Sequence, residues 1–118
     1  TRIYKIKHKV FGQYSKGGTY VSDRISSINH KTGENRYVHW SKKGKVWQGT
    51  GPIRCHLNQY VGWKYGKLPD GKTDWNDKKL VNDIPDTWIV EEHLPSENVT
   101  YQYLAKDFYE NKQKPVRI

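Results

Sequence analysis

What most constrains this chain is the source of its apolar bulk. Ile, Leu, Val and Phe supply only 24 of 118 residues, near the range in which a chain no longer buries enough surface to fold. Five Trp, nine Tyr and two Phe make up the deficit. Each ring can bury roughly 150–250 Å², so a compact state has to be assembled on rings. The length suits one domain and is short for two ordinary ones. The expectation is therefore a single domain over residues 1–111, followed by a frayed tail at residues 112–118.

Local patterns indicate the elements. Ile3 to Val10 alternates, with Tyr4, Ile6, His8 and Val10 on one side and Lys5, Lys7 and Lys9 on the other, the period of a half-buried strand. The glycine-rich run from Gly12 to Gly18 turns the chain, and Thr19 to Ser22 reads as the returning strand. The pattern weakens from Ile25 to the turn at Lys31–Gly33; strand character resumes at Arg36–Trp40 and, after a turn at Ser41–Gly44, at Lys45–Trp47. The clearest helix signal has Thr50 as N-cap, Pro52 in the first turn, Ile53, Leu57, Tyr60 and Val61 on one face, and Gly62 as a stop. It predicts a helix over 52–61. After a loop at Leu68–Thr73, a short helix is expected at Asp74–Asn82, and Thr87–Leu94 reads as a strand buried on both faces at Trp88, Ile89 and Val90. Val99–Asn111 reads as a helix through Tyr101, Leu104 and Phe108, although Val99, Thr100, Tyr101 and Tyr103 also fit a strand. Together these pieces specify an α+β fold: an antiparallel β-sheet with one main α-helix and one or two short helices.

Charge is distributed unevenly along this chain. Residues 1–67 carry 14 Lys and Arg against Asp23 and Glu34, for +12, whereas residues 68–118 carry 7 against 10, for −3. Such segregation draws anions to one end of a molecule, with rates sensitive to salt. Within the basic half, Trp40 to His56 reads WSKKGKVWQGTGPIRCH. A helix beginning near Thr50 would offer unpaired backbone N–H groups, and Gly51 would let an anion approach them. The expected phosphate ligands are Lys5, Lys7, Lys9, Lys42, Lys43, Lys45, Thr50, Gly51 and Arg54, with Trp40 or Trp47 stacking on a base. The same Gly-Thr-Gly-Pro is also an ordinary strand-to-helix connection, and it lacks the Lys-Ser/Thr ending of a P-loop.

Other chemistries find less support. The five histidines show no metal-ligand spacing and Cys55 is the one cysteine, so neither a metal, a cofactor nor an internal disulfide is expected. Ile3–Ile6 with Tyr20, Val21 and Arg24 partly matches the GIY-YIG nucleases, and INHKTGENR (28–36) partly matches the HNH nucleases. Both lack key glycines or the second metal-binding histidine. No apolar run is long enough for a membrane helix, and TRIYKIKHKV lacks the apolar region of a signal peptide.

YKIKHKVFGQYSKGG and WSKKGKVWQGTGPIRCHLNQY resemble segments of small accessory proteins of tailed bacteriophages, which often pair a YxIxHKxTG opening with an S-K-x-GKVW segment. The opening departs from that pattern at Val10–Phe11, where Thr is usual at the second position. The resemblance covers Ile3–Gly18 and Trp40–Tyr60, about a third of the chain, and brings no catalytic residues with it. It implies the host cytoplasm during infection, and action by binding host machinery or blocking host defences. The leading expectation is a non-enzymatic counter-defence protein that binds nucleic acid or a host nucleotide signal through its basic half. An inhibitor of an acidic host protein is the alternative, and a nuclease is third.

Overall fold

The computed structural model describes residues 2–111, and the backbone of residues 116–117. Its fold is α+β, and all strand pairs are antiparallel. The main sheet contains β1 (Ile3–His8), β2 (Tyr14–Ser15), β5 (Trp40–Ser41), β8 (Trp88–Leu94), β9 (Val99–Leu104) and β10 (Val116–Arg117), in the order β10-β9-β8-β1-β2-β5. Two ribbons stand apart from it: β3 (Ile25–Ile28) with β4 (Asn35–Tyr37), and β6 (Gly62–Lys67) with β7 (Thr73–Asn82). The helices are α1 (Thr50–Asn58) and α2 (Ala105–Tyr109).

Strand β1 has the expected register. Tyr4, Ile6 and His8 are buried, and they face the same side as Trp88, Val90 and Glu92 of β8. Val10 is a correction, at 74% exposed. The chain already reverses after His8, where Gly12 at φ +68° donates its N–H to the His8 carbonyl, and Nδ1 of His8 accepts from Val10 and Phe11. This tight turn makes Tyr14–Ser15 the returning strand in place of Thr19–Ser22. Of Lys45–Trp47, only Trp47 pairs, in an isolated bridge to Tyr4.

The rings pack as a connected series. Tyr37 stacks on Phe11 at 3.9 Å and Phe11 on His8 at 3.7 Å, and Trp40 meets both His8 and Phe11 edge-on. The series continues through Trp88, Tyr60 and His56 to Trp47. Tyr4, Phe108 and Tyr103 form a second group. Ile53 and Leu57 of α1, both fully buried, supply the aliphatic part of the same core. Two of the covered rings have their polar handles satisfied: Nε1 of Trp40 donates to the Ser22 carbonyl at 3.0 Å, and the Tyr103 hydroxyl donates to buried Glu92 at 3.2 Å.

Helix α1 begins two residues before the expected range and ends at Asn58, after which i→i+3 bonds carry the chain through Tyr60 and Val61. Its N-cap is Gly49, with no side-chain cap bond, so Thr50 lies inside the first turn. Gly62 opens a strand and does not stop the helix. Asp74–Asn82, expected as a helix, is β7: Asp70 and Gly71, the latter at φ +84°, close a hairpin that recruits these residues to pair with β6. In Val99–Asn111 both readings apply in succession, since β9 pairs along β8 before α2 begins at Ala105. Within the tail expected to fray, Val116–Arg117 pair with Gln102 and Tyr101; the rest of it lies outside the described residues.

Candidate functional site

The lysines expected to form one anion site are dispersed over several partners. Lys5 donates to the Lys43 carbonyl at 2.8 Å and lies over the Tyr14 ring, so these two basic residues do meet. Lys7 lies 3.7 Å from the Glu91 carboxylate, which also accepts from the Tyr14 hydroxyl at 2.8 Å and from Gln102 at 3.1 Å. An acid from the C-terminal half thus neutralises the centre of the lysine face. Burial, with Glu91 close by, pushes the Tyr14 hydroxyl up to about 12. Lys9 is exposed. Lys45 lies over the Trp47 ring, and its charge adds to burial in holding His56 below the usual imidazole range.

Arg54 is engaged by Phe108. Its guanidinium lies 5.7 Å from the Phe108 ring centroid, and Nη2 donates to the Phe108 carbonyl at 3.4 Å. That carbonyl belongs to α2, so Arg54 fastens the two helices together. Thr50 and Gly51 remain exposed at the helix start. Trp40 and Trp47 are corrections: at 1% and 5% exposed, neither has a face free for a base.

Lys42 lies elsewhere, in a cleft of about 370 Å³ between the β3–β4 ribbon and the β2–β5 edge of the main sheet. One wall is built on the ribbon and carries Asn29, Glu34, Asn35, Arg36 and Tyr37; the other carries Gln13, Lys16, Ser41 and Lys42. The ribbon tip is fixed by Asn29, whose carbonyl accepts from Gly33 and whose side chain accepts from Lys31. The opposite wall is fixed by the Ser41–Gly44 loop, whose Gly44 packs so closely that a Cβ there would lie 2.3 Å from Tyr14 Cβ. Tyr37 ends the ring stack on Phe11 and lines the cleft. Three cations, three amides and two rings, Tyr37 and the nearly covered Trp40, thus converge around a space of nucleotide size, with Glu34 as the single acid. Lys16, Arg36 and Tyr37 carry no site signal in the sequence, because only the pairing of β2 with β5 and of β3 with β4 brings them together.

Close by, His8 is 2% exposed, and its Nε2 lies 3.3 Å from the carboxylate of exposed Asp23. With Nδ1 accepting two backbone N–H bonds, the neutral ring carries its proton on Nε2. Burial lowers the His8 pKa, and the Asp23 charge opposes that shift.

Among the described residues, no helix is long and apolar enough to cross a membrane, and no cluster of three His, Cys, Asp or Glu could hold a metal ion. Comparison with family models, with curated proteins and with solved structures finds no match to this chain.

Proposed function

We propose that this protein binds phosphate-bearing ligands, nucleic acid or a nucleotide, through its basic N-terminal half and without transforming them. The observation that carries the reading is the cleft, where Lys16, Arg36 and Lys42 line the same space beside the Tyr37 ring. Cations of this kind bind phosphate oxygens, Arg36 through a planar fork suited to bidentate contact, while amides bind sugar or base edges and a ring stacks on a base. In the setting implied by the phage resemblance, the host cytoplasm during infection, such binding would sequester a host nucleic acid or a defence nucleotide.

Charge reversal tests this. Arg36→Glu is expected to weaken binding of a labelled oligonucleotide or nucleotide by ~1.5–3 kcal/mol, the range for hydrogen bonds to charged groups. Lys31→Glu makes the same charge change on the ribbon tip outside the cleft, and is expected to cost ~0.2–1 kcal/mol. Equal losses in the two variants would mean that only the overall field attracts the ligand. Degradation of the oligonucleotide on adding a divalent metal would contradict binding without reaction.

A further inference from the structure

We propose that the β6–β7 hairpin is an arm that binds single-stranded nucleic acid, its rings stacking on bases and its lysines holding the phosphates. The inference rests on the phosphate-binding reading above and assigns it a second surface and a polymeric ligand. No residue from Gly62 to Asn82 is buried, so the hairpin has no core of its own. It nevertheless carries Trp63 at 46% and Trp75 at 72% exposed. An isolated hairpin with uncovered indoles is marginal in water, and large exposed rings of this kind mark a binding surface.

Two features favour nucleic acid over protein as the occupant. The first is ring placement. Trp63 and Tyr65, two apart on β6, share a face, and Trp75 meets Tyr65 edge-on at 5.0 Å. Most of the Trp75 surface stays open, as a base-stacking platform requires. The second is charge. The arm carries Lys64, Lys67, Lys72, Lys78 and Lys79, and among the described residues none of them forms an ion pair with a carboxylate. Lys64 and Lys79 are directly opposed across the strands, on the face away from Trp63 and Tyr65, and Asp77 lines the same hollow beside this like-charge pair. Lys78 lies 4.4 Å over the Trp63 ring, on the same face as the aromatics. Of the arm's three acids, Asp70 accepts from the Lys72 N–H, Asp74 accepts from the Asn76 N–H, and Asp77 lies with Lys64 and Lys79; five lysines against these three leave the arm net positive. Lys78 and the rings thus share one face while Lys64 and Lys79 lie on the other, a combination matched by a flexible polyanion that stacks its bases on one face and passes its phosphates around the strand edge.

The experiment compares the full chain with Trp75→Ala and with the double variant Lys64→Glu, Lys79→Glu, using a fluorescent oligothymidine strand and a duplex of equal length. Because these residues are exposed, unchanged unfolding transitions confirm that each variant is folded. The expected result is a loss of about tenfold in single-strand affinity for each variant, in line with removal of one stacked base or of two phosphate contacts. Tryptophan fluorescence reports the same event, since Trp40, Trp47 and Trp88 are buried. Quenching by the strand is expected in the parent protein and reduced in Trp75→Ala, where Trp63 remains as the one exposed indole. If the parent binds the strand and both variants bind as tightly, the arm is not the site, while the cleft reading stands. If the parent binds neither strand, duplex nor nucleotide, the phosphate-binding reading fails and this inference fails with it. Retention of an acidic protein through Trp75, with no oligonucleotide binding, would overturn the assignment of the ligand.

Discussion

His8 shows how this protein keeps an ionisable ring inside a sparse core. The imidazole is stacked on Phe11, accepts two backbone N–H bonds at Nδ1, and sits 3.3 Å from Asp23 through Nε2. Burial lowers its pKa from the ordinary 6.5, as it does for His56. With folded-state values below 6.5, the unfolded chain binds more protons as pH falls beneath that value. Stability is therefore complete above about pH 6.5 and declines on acidification toward the folded-state pKa. Denaturation at pH 7.5 and 5.5 is expected to show a lower midpoint at the acid value, with a smaller difference in His8→Asn. An unchanged difference in that variant would mean that His8 does not contribute. The buried side of β1 was legible in sequence because Tyr4, Ile6 and His8 repeat every second residue. The fate of Trp40 and Trp47 was not legible. Composition reveals that rings must fill the core but not which of them do, and the two chosen for stacking are inside while Trp63 and Trp75 are outside.

At the scale of elements, local period was a reliable guide and partner-dependent structure was not. α1 was readable because Ile53, Leu57 and Tyr60 recur along one face, and its boundaries moved because nothing in Thr50 caps it. The helix is held by its buried side. Thr50→Ala is accordingly expected to change stability by less than about 0.5 kcal/mol. Ile53→Ala, which opens a cavity at a fully buried position, is expected to cost ~2–5 kcal/mol. Chemical denaturation checks both, and a large loss from Thr50→Ala would restore that residue as a cap. β7 was misread because Asp74–Asn82 pairs with β6 only after the turn at Asp70–Gly71 has closed, a contact no local period reports. The ribbon β3–β4 has the same cause, since all four residues of β3 are exposed and show no alternation in burial.

Across the whole molecule, the charge asymmetry survives folding in modified form. The basic half does not form one uniform face: Glu91 occupies the centre of the β1 lysines, and Arg54 binds the end of α2. What remains open is the cleft with Lys16, Arg36 and Lys42, and the arm with its unpaired lysines. The +12 of residues 1–67 leads to the expectation of an anionic ligand, whereas the proposed cleft exists only through the pairing of strands distant in the chain and so could not be read from the sequence. The most direct test of the central claim is the dissociation constant for a single-stranded oligonucleotide across a salt series. Cations that neutralise phosphates release counterions, so the logarithm of the association constant, the reciprocal of that dissociation constant, is expected to fall linearly with log salt, with a slope of about −0.7 per phosphate contact. Engagement of the three cleft cations alone predicts a slope near −2, and engagement of the arm as well makes it steeper. A slope near zero, or no binding at low salt, would contradict the account.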